Sequence, residues 1–334
     1  MIDFSRARVL VTGGAGFIGS ALVWELNRRG CDRIVIADFL ESSEKWRNLA
    51  PLAFEDYLEA DDLLPRLASK ALGRFDVVLH MGACSSTTER NAAYLARNNF
   101  QFTKDLASAA LSSNARFVYA SSAATYGDGT AEMKDDSSLR YLHTLRPMNM
   151  YGYSKQMFDL YAAQRGLLDK IAGVKFFNIF GPNEWHKGDM RSLVNKAYDQ
   201  IAETGEIRLF KSYLDKYADG EQKRDFLYVK DAVAMTLHLA ATDGASGLFN
   251  VGSGQANTWI ELAGAVFGAL GKQPNIRFID MPEDLRVRYQ YFTQADIARV
   301  RESGYTAPIT PLADAVADYV KNYLAPQKHL GDIA

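Results

Sequence analysis

A glycine-rich turn near the N-terminus constrains the fold of this chain more than any other feature. The apolar run at residues 8–12 is typical of a buried strand, and residues 17–29 have the apolar spacing of a helix. Between them lie Gly13, Gly16 and Gly19, which permit a tight turn from the strand into the helix. The free N–H groups at the start of such a helix attract an anion. We therefore predict that this turn binds the pyrophosphate of a dinucleotide.

The end of the next predicted strand bears on which dinucleotide binds. Residues 33–38 end in Asp38, whose carboxylate can bind the hydroxyl groups of an adenosine ribose. A carboxylate at this place favours NAD, because it repels the 2′-phosphate of NADP. Lys45 and Arg47 follow closely and can neutralise that phosphate, so these residues alone leave the choice between NAD and NADP open.

The order of apolar runs predicts an α/β fold with a doubly wound parallel sheet. Apolar strands alternate with helical patterns, which is typical of a parallel sheet covered on both faces. Beyond residue 180 the elements are shorter and more polar. We therefore predict a dinucleotide-binding domain over residues 1–180 and a smaller α+β substrate lobe over residues 181–334, with part of 225–251 as a candidate to return to the main sheet. The further predicted strands are 57–59, 75–81, 116–121, 175–180, 207–210, 225–229, 248–251 and 276–279, the predicted helices are 87–112, 151–168, 230–241, 259–270 and 312–324, and the predicted surface loops are 128–146 and 211–222.

Length, charge and composition limit the class of protein. The chain has 334 residues, of which 48% are hydrophobic, so it can bury a sizeable core. Its 38 Lys and Arg residues and 40 Asp and Glu residues give a net charge of −2, which provides no electrostatic basis for binding nucleic acid. Two cysteines exclude a disulfide framework, and the five histidines show no metal-ligand spacing, so we predict no metal site. Since there is no run of about 18 apolar residues, we expect a cytoplasmic enzyme that does not span a membrane.

A tyrosine and a lysine form the predicted acid–base pair. Tyr151 and Lys155 are four positions apart at the start of a predicted helix, so their side chains share one face. A nearby ammonium group lowers the pKa of a phenol and makes it a usable base at neutral pH. Ser122 follows the predicted strand at 116–121, at the sheet edge where open α/β folds bind ligands. We predict that Ser122 holds a substrate oxygen while Tyr151 moves its proton.

These motifs resemble the extended short-chain dehydrogenase/reductases, and within them the nucleotide-sugar epimerases that act on an ADP-linked heptose. The similarity spans nearly the whole chain and implies a Rossmann-type sheet. The glycine turn and the Tyr151–Lys155 pair indicate the superfamily, whereas residues 82–89, 119–127 and 186–188 carry the more specific similarity. The similar segments are VTGGAGFIGS (11–20), GACSSTTE (82–89), YASSAATYG (119–127), YGYSK (151–155), FNIFGPNEWHKGDM (177–190), KRDFLYV (223–229) and RYQYFTQAD (288–296).

The resemblance implies an isomerase reaction without net redox change. Such enzymes invert C6″ of ADP-D-glycero-D-manno-heptose to the L-glycero form with tightly held NADP. A hydride leaves C6″ to give a ketone and then returns to the other face of the turned carbonyl. We therefore expect an ADP-sugar substrate, NADP as cofactor with NAD as the alternative, and a homo-oligomer. A second lysine that the family often carries after the third strand is absent here, where the chain reads Glu59-Ala60-Asp61, and this weakens the case for NADP.

The resemblance also assigns roles to individual residues. Tyr151 is one acid/base, and Lys155 tunes it and binds the nicotinamide ribose. Ser122 assists at the substrate oxygen, and Lys187 matches a second acid/base that serves the opposite epimer. The implied substrate contacts are Asn178, Lys187, Asp189, Lys196, Phe210, Arg224 (suited to the diphosphate) and Tyr289. The implied cofactor contacts are Gly13, Gly16, Phe17, Ile18, Gly19, Asp38, Phe39, Lys45, Met81, Gly82, Ala83, Cys84, Ser85, Asn98, Lys155 and Ile179.

Two other interpretations remain. A nucleotide-sugar 4-epimerase can use the same groups on the same scaffold. A 4,6-dehydratase is disfavoured, because Ser122 is followed by two alanines rather than by the acid and base that dehydration needs. A dinucleotide-binding sensor without chemistry is the third interpretation, although a sensor has no need of an intact set of Ser122, Tyr151 and Lys155.

Overall fold

A seven-stranded parallel sheet forms the centre of the fold in the computed structural model, which describes residues 1–129, 131–286 and 289–333. The strands are β1 (Val9–Thr12), β2 (Ile34–Asp38), β3 (Asp56–Glu59), β4 (Val77–His80), β5 (Arg116–Ser122), β6 (Ala172–Phe176), β7 (Asn178–Phe180), β8 (Ile207–Phe210), β9 (Lys223–Arg224), β10 (Phe226–Tyr228), β11 (Gly247–Val251), β12 (Asn257–Thr258) and β13 (Ile276–Ile279). The central sheet has the order β11-β6-β5-β4-β1-β2-β3. The predicted doubly wound α/β fold is confirmed.

Helices cover both faces of this sheet. Successive residues of a strand point to opposite faces, so Val9 and Val11 belong to one core and Leu10 to the other. The helices are α1 (Phe17–Arg28), α2 (Ala60–Ala68), α3 (Ala92–Leu95), α4 (Phe102–Ser112), α5 (Leu139–Leu142), α6 (Met150–Gln164), α7 (Leu193–Thr204), α8 (Val229–Ala241), α9 (Trp259–Ala269), α10 (Glu283–Arg286), α11 (Ala298–Glu302) and α12 (Leu312–Asp318). The first core contains α1 and α8, and the second contains α4 and α6. No described helix is long and apolar enough to cross a lipid bilayer.

The predicted strand at 175–180 is wrong in its bounds. The chain runs along the sheet as β6 up to Phe176, and Phe177 then donates its N–H to Val251. Beyond that residue β7 leaves the central sheet and pairs in parallel with β10. This turn away from the sheet carries Asn178 and the residues that follow it toward the carboxyl edge of the strands.

Two predicted features between residues 87 and 146 also differ from the structure. The helix predicted from residue 87 begins only at Ala92, because Asn91 accepts the N–H of Tyr94 as an N-cap. It continues through a π-helical stretch at Ala96–Gln101 into α4. The loop predicted at 128–146 contains the short helix α5, although Thr130 in that loop lies outside the described residues.

The second half of the chain builds a smaller set of sheets beside the main one. β8 pairs in parallel with β13, and β9 pairs antiparallel with β12. β11 lies at the edge of the central sheet, next to β6. The division into domains at residue 180 stays a prediction, and Arg288 and Ala334 within the second half lie outside the described residues.

A buried ion pair lies beneath the carboxyl edge of the sheet. Lys175 Nζ is 2.6 Å from Asp159 Oδ2, and both side chains are fully buried. The carboxylate also accepts the hydroxyls of Tyr119 and Ser121, each at 2.8 Å, and the ammonium donates to the hydroxyl of Thr125 at 2.7 Å. These extra hydrogen bonds offset the cost of removing two charges from water.

We expect Lys175→Met to lower the free energy of unfolding by about 3–5 kcal/mol, because it leaves the buried Asp159 carboxylate without its ion-pair partner. Urea denaturation at neutral pH measures the change. Lys211→Met is the control, since it removes one member of the exposed pair with Asp280 and should leave the midpoint nearly unchanged. A loss for Lys175→Met as small as that of the control would contradict this expectation.

Candidate active site

A cleft of about 1400 Å³ opens at the carboxyl edge of the central sheet. One wall consists of the glycine turn and the ends of β2, β4 and β5. The other wall consists of residues 176–180, parts of the segment 186–196, parts of β8 and α9, and Tyr289. Parallel strands bring the loops that follow them to one edge, which explains why residues distant in sequence meet here.

The glycine turn leaves no room for side chains on its inner face. Gly13 has a φ of +67°, and a Cβ there would lie 2.6 Å from the N atom of Gly82, which follows β4. A Cβ on Gly19 would lie 2.0 Å from the carbonyl oxygen of Gly13. Gly16 is the N-cap of α1 and supplies no side-chain acceptor to the first N–H groups of the helix. Such a bare, tightly packed turn fits the pyrophosphate of a dinucleotide.

Asp38 braces this turn through its carboxylate. Its Oδ2 accepts the N–H groups of Ala15 and Gly16 at 2.9 and 3.1 Å. Its Oδ1 accepts the N–H of Phe39 at 2.7 Å and a hydrogen bond from Lys45 Nζ at 3.1 Å. Asp38 and Lys45 both line the cleft, as the predicted cofactor contacts require. The ion pair between them reduces the negative charge that Asp38 alone would present to a phosphate group.

Ser122, Tyr151 and Lys155 meet where β5 ends and α6 begins. α6 starts next to Asn149, whose side chain accepts the N–H of Gly152 as an N-cap. This cap places Tyr151 in the first turn, where its hydroxyl shares a hydrogen bond with Ser122. One turn later Lys155 Nζ donates to the carbonyl oxygen of Ala120 at 2.8 Å.

The pKa values in this cluster differ from the expectation based on sequence. Burial lowers the pKa of Lys155 to about 8, and the charge of Asp159 opposes that shift. Burial raises the pKa of Tyr151, and the hydrogen bond with Ser122 opposes that shift. The net pKa of Tyr151 is therefore raised and not lowered, because burial dominates at both groups, and the tuning of the phenol by Lys155 stays a prediction.

Lys187 lines the same cleft from a different part of the chain. It lies in the 3-10 turn Trp185–Met190, with its Nζ 5.1 Å from the centroid of the Phe17 ring at the start of α1. Burial lowers the pKa of its ammonium group, and the charge of Glu184 opposes the shift. The cleft therefore holds a second amine that can exchange a proton, on an element separate from α6.

The substrate contacts implied by the resemblance divide into two groups. Lys187 and four others line the cleft, whereas Asp189 and Arg224 do not. Asp189 is exposed, and its carbonyl oxygen accepts a hydrogen bond from Lys196 Nζ at 3.2 Å. Arg224 is buried behind the wall, with its guanidinium 5.1 Å from the ring of Tyr289 and 5.7 Å from that of Trp259. The four others are Asn178, Lys196, Phe210 and Tyr289.

All the implied cofactor contacts line the cleft. They surround the glycine turn, the end of β2 and the loop after β4. Which of them touch the dinucleotide stays a prediction. They are Gly13, Gly16, Phe17, Ile18, Gly19, Asp38, Phe39, Lys45, Met81, Gly82, Ala83, Cys84, Ser85, Asn98, Lys155 and Ile179.

Comparison with known proteins agrees with this geometry. Residues 9–252 match the NAD dependent epimerase/dehydratase family. The chain belongs to this family. It is 50% identical over 317 residues to an ADP-L-glycero-D-manno-heptose-6-epimerase of Nitratidesulfovibrio vulgaris, which covers 95% of this chain and 98% of that relative. It is 45% identical over 325 residues to the protein of the same name from Fusobacterium nucleatum, with the same two shares covered.

A solved structure supports the same relationship. The crystal structure of Helicobacter pylori ADP-L-glycero-D-manno-heptose-6-epimerase superimposes with a TM-score of 0.81 at 27% identity and covers 96% of this chain and 97% of that one. The resemblance stated from sequence is confirmed. The chain is an epimerase, and thus an isomerase, that uses a nicotinamide dinucleotide.

Several cleft-lining residues of this epimerase were not predicted from any motif. They come from several separate elements that meet only in the tertiary structure, so no local spacing marks them. His186 is the exception, since it directly precedes Lys187 in a segment that carries the resemblance. Burial lowers the pKa of His186 to about 4, so its ring is neutral at pH 7. The unpredicted charged or aromatic members include Arg97, His186, Arg191, Arg208 and Trp259.

We expect Tyr151→Phe to lower kcat for epimerisation by about 10²–10⁴-fold, because it removes a positioned acid/base. The amount of bound dinucleotide should stay the same, since the glycine turn is untouched. Tyr153→Phe is the matched control, because Tyr153 is on the same helix and 48% exposed. Near-normal epimerisation by Tyr151→Phe would remove this phenol from the mechanism.

Proposed function

We propose that this epimerase inverts C6″ of ADP-D-glycero-D-manno-heptose to the L-glycero form, with NADP as its dinucleotide. The observation that carries the proposal is that two proton-exchanging groups, Tyr151 and Lys187, line one cleft from separate elements. The names of the relatives support the choice of sugar and nucleotide. The same resemblance supports a cytoplasmic, homo-oligomeric enzyme.

The position of the reacting carbon explains the need for two such groups. C6″ lies outside the sugar ring, and its hydrogen must face the same nicotinamide in either epimer. The hydroxyl group then points to opposite sides in the two epimers, so one side chain does not easily reach both. Tyr151, with Ser122 at the substrate oxygen, serves one epimer, and Lys187 serves the other.

Burial suits Lys187 to this role. An amine acts as a base only when it is neutral, and burial lowers the pKa of Lys187 toward that state. Glu184 acts on Lys187 through its charge, while its carboxylate oxygens accept the N–H and hydroxyl of Ser192 at 2.5 and 2.6 Å. The amine therefore remains available to the substrate hydroxyl.

The dinucleotide supplies the hydride acceptor and donor when it is bound. The bare glycine turn would hold its pyrophosphate, and Lys155 would hold the nicotinamide ribose beside Tyr151. Asp38 and Lys45, which also line the cleft, would contact the adenosine end. Lys45 pairs with Asp38 and partly neutralises its carboxylate. The repulsion between Asp38 and the 2′-phosphate of NADP is therefore reduced, which supports NADP as the dinucleotide.

The outer half of the cleft suits an ADP group. Lys196 and Arg208 supply positive charge, and Phe210 and Tyr289 supply aromatic surface. Trp259 Nε1 donates to the Tyr289 hydroxyl at 2.8 Å, which holds that ring in place. We propose that the positive charge of Arg224, which lies against the Tyr289 ring behind this wall, attracts the diphosphate.

We expect Lys187→Met to abolish epimerisation while one half-reaction survives through Tyr151. The test is single-turnover reduction of a substrate analogue with a carbonyl at C6″ by enzyme-bound NADPH, followed by identification of the epimer formed. Tyr151→Phe should show the opposite stereochemical preference. Lys104→Met is the matched control, because Lys104 also lies over an aromatic ring, at 5.0 Å from Phe100, but outside the cleft.

The outcome of the Lys187 experiment decides the proposal. If Lys187→Met epimerises the ADP-heptose like the unmodified enzyme, Lys187 is a loop lysine without a chemical role. If the unmodified enzyme does not convert the ADP-heptose at all, the choice of substrate is wrong.

We expect Lys45→Glu to weaken binding of NADP far more than binding of NAD. The substitution places a second carboxylate beside Asp38, and only NADP carries a phosphate there to be repelled. Isothermal titration of both dinucleotides measures the ratio. Arg47→Glu is the control, because Arg47, the other basic residue that follows Asp38, is exposed and lies outside the cleft lining. Equal losses for the two dinucleotides would mean that Lys45 does not recognise the phosphate.

A further inference from the structure

One buried amide, that of Asn48, contacts both the glycine turn and the segment that carries Lys187. Asn48 is 2% exposed and ends the 3-10 turn Glu44–Asn48. Its Nδ2 lies 2.9 Å from the carbonyl oxygen of Ala15, 3.2 Å from that of Asn183 and 3.3 Å from Nδ1 of His186. An amide has two hydrogens to donate, so three acceptors from two parts of the chain compete for them.

On one side Asn48 helps to fix the glycine turn. The N–H of Ala15 donates to Asp38, and its carbonyl oxygen accepts from Asn48. The peptide groups on either side of Ala15 are therefore both fixed by side-chain hydrogen bonds, one to Asp38 and one from Asn48. A turn with little side-chain packing of its own depends on such hydrogen bonds for its position.

On the other side Asn48 holds the start of the Lys187 segment. Asn183 has a φ of +77° and is fully buried, and its own side chain donates to the hydroxyl of Ser20 in α1 at 3.0 Å. His186 is neutral near pH 7, and its Nδ1 accepts the hydrogen bond from Asn48 in the tautomer that carries the ring hydrogen on Nε2. The carboxylate of Glu184 accepts hydrogen bonds from the N–H and hydroxyl of Ser192, and these bonds join the two ends of the segment that contains Lys187.

We propose that Asn48 is a positioning residue that couples the dinucleotide-binding turn to Lys187. When Ala15 is held in place by a bound dinucleotide, the hydrogen bonds of Asn48 also hold Asn183 and His186 in place. The position of Lys187, which follows His186, is fixed as a result. The coupling has a physical basis, because separating either partner from Asn48 leaves a buried polar group unsatisfied. This inference rests on the proposed role of Lys187.

Hydrogen–deuterium exchange with and without NADPH tests the coupling without any sugar substrate. In the unmodified enzyme NADPH should slow exchange in the peptide covering residues 9–28 and in that covering 181–192. In Asn48→Ala it should slow exchange only in 9–28. Asn27→Ala is the matched control, since Asn27 also donates to two carbonyl oxygens, those of Cys31 and Ala53, and should retain both effects.

Half-reaction kinetics supply the second readout. Asn48→Ala should lower epimerisation by about 10²-fold, as expected for misplacing a reacting group. The loss should fall on the epimer that Lys187 serves, whereas the half-reaction through Tyr151 should be nearly unchanged. A merely structural role for Asn48 would lower both half-reactions together.

The results separate this inference from the proposed function. Persistent slowing of 181–192 by NADPH in Asn48→Ala, or an equal loss in both half-reactions, would overturn the coupling. If Lys187→Met turns out to be fully active, the proposed function fails, but the exchange experiment still decides whether Asn48 links the two segments. If Asn48→Ala does not fold, Asn48→Ser replaces it, because one short hydroxyl donor cannot serve both partners and the same loss of coupling is expected.

Discussion

The close approach of the glycine turn to the end of β4 is the constraint on which the cleft depends. A Cβ at Gly13 would collide with the backbone of Gly82, so the two segments meet only as bare backbone. The parallel register that pairs Thr12 with His80 sets this approach, and the Thr12 hydroxyl accepts the N–H of Gly82 at 3.2 Å. The floor of the cleft is therefore defined by main-chain packing, and the side chains that line it are placed relative to that floor.

The chemistry at β5 depends on a second, electrostatic constraint. The buried pair of Asp159 and Lys175 holds Ser121 directly and holds Thr125, whose hydroxyl donates to the carbonyl oxygen of Ser122. Ser122 is thus fixed on both sides by residues tied to one ion pair. Asp159 also lies one helical turn after Lys155, so its charge favours the ammonium form against the effect of burial. A purely apolar layer at this place would pack as well but would supply neither effect.

Local sequence patterns predicted those parts of the fold whose positions are set locally. β1, β2 and α1 follow from continuous apolar runs, a helical period and the glycine spacing, and the structure has them within one residue of the predicted bounds. The sequence at 175–180, which ends before Gly181-Pro182, predicts one strand, but pairing with β10 divides it after Phe176. The pattern reveals the lysine beside Tyr151 but not the burial of the pair, and burial raises the net pKa of Tyr151. Arg224 and Asp189 line no part of the cleft for a similar reason, since sequence position does not show which way a side chain turns.

The segment around Lys187 shows where local preference and function diverge. Asn183 adopts a left-handed backbone conformation that non-glycine residues rarely take, and it does so fully buried. That conformation is stable because its side chain and carbonyl oxygen are both engaged, by Ser20 and Asn48, and because Leu330 donates its N–H to the side-chain oxygen at 2.9 Å. A connection after β7 with fewer hydrogen bonds would need no positive φ at Asn183, but it would not fix the position of the Lys187 amine. Heavily hydrogen-bonded backbone next to Lys187 fits the role proposed for this amine, because a second proton acceptor can serve one carbon only if its distance from Tyr151 is fixed.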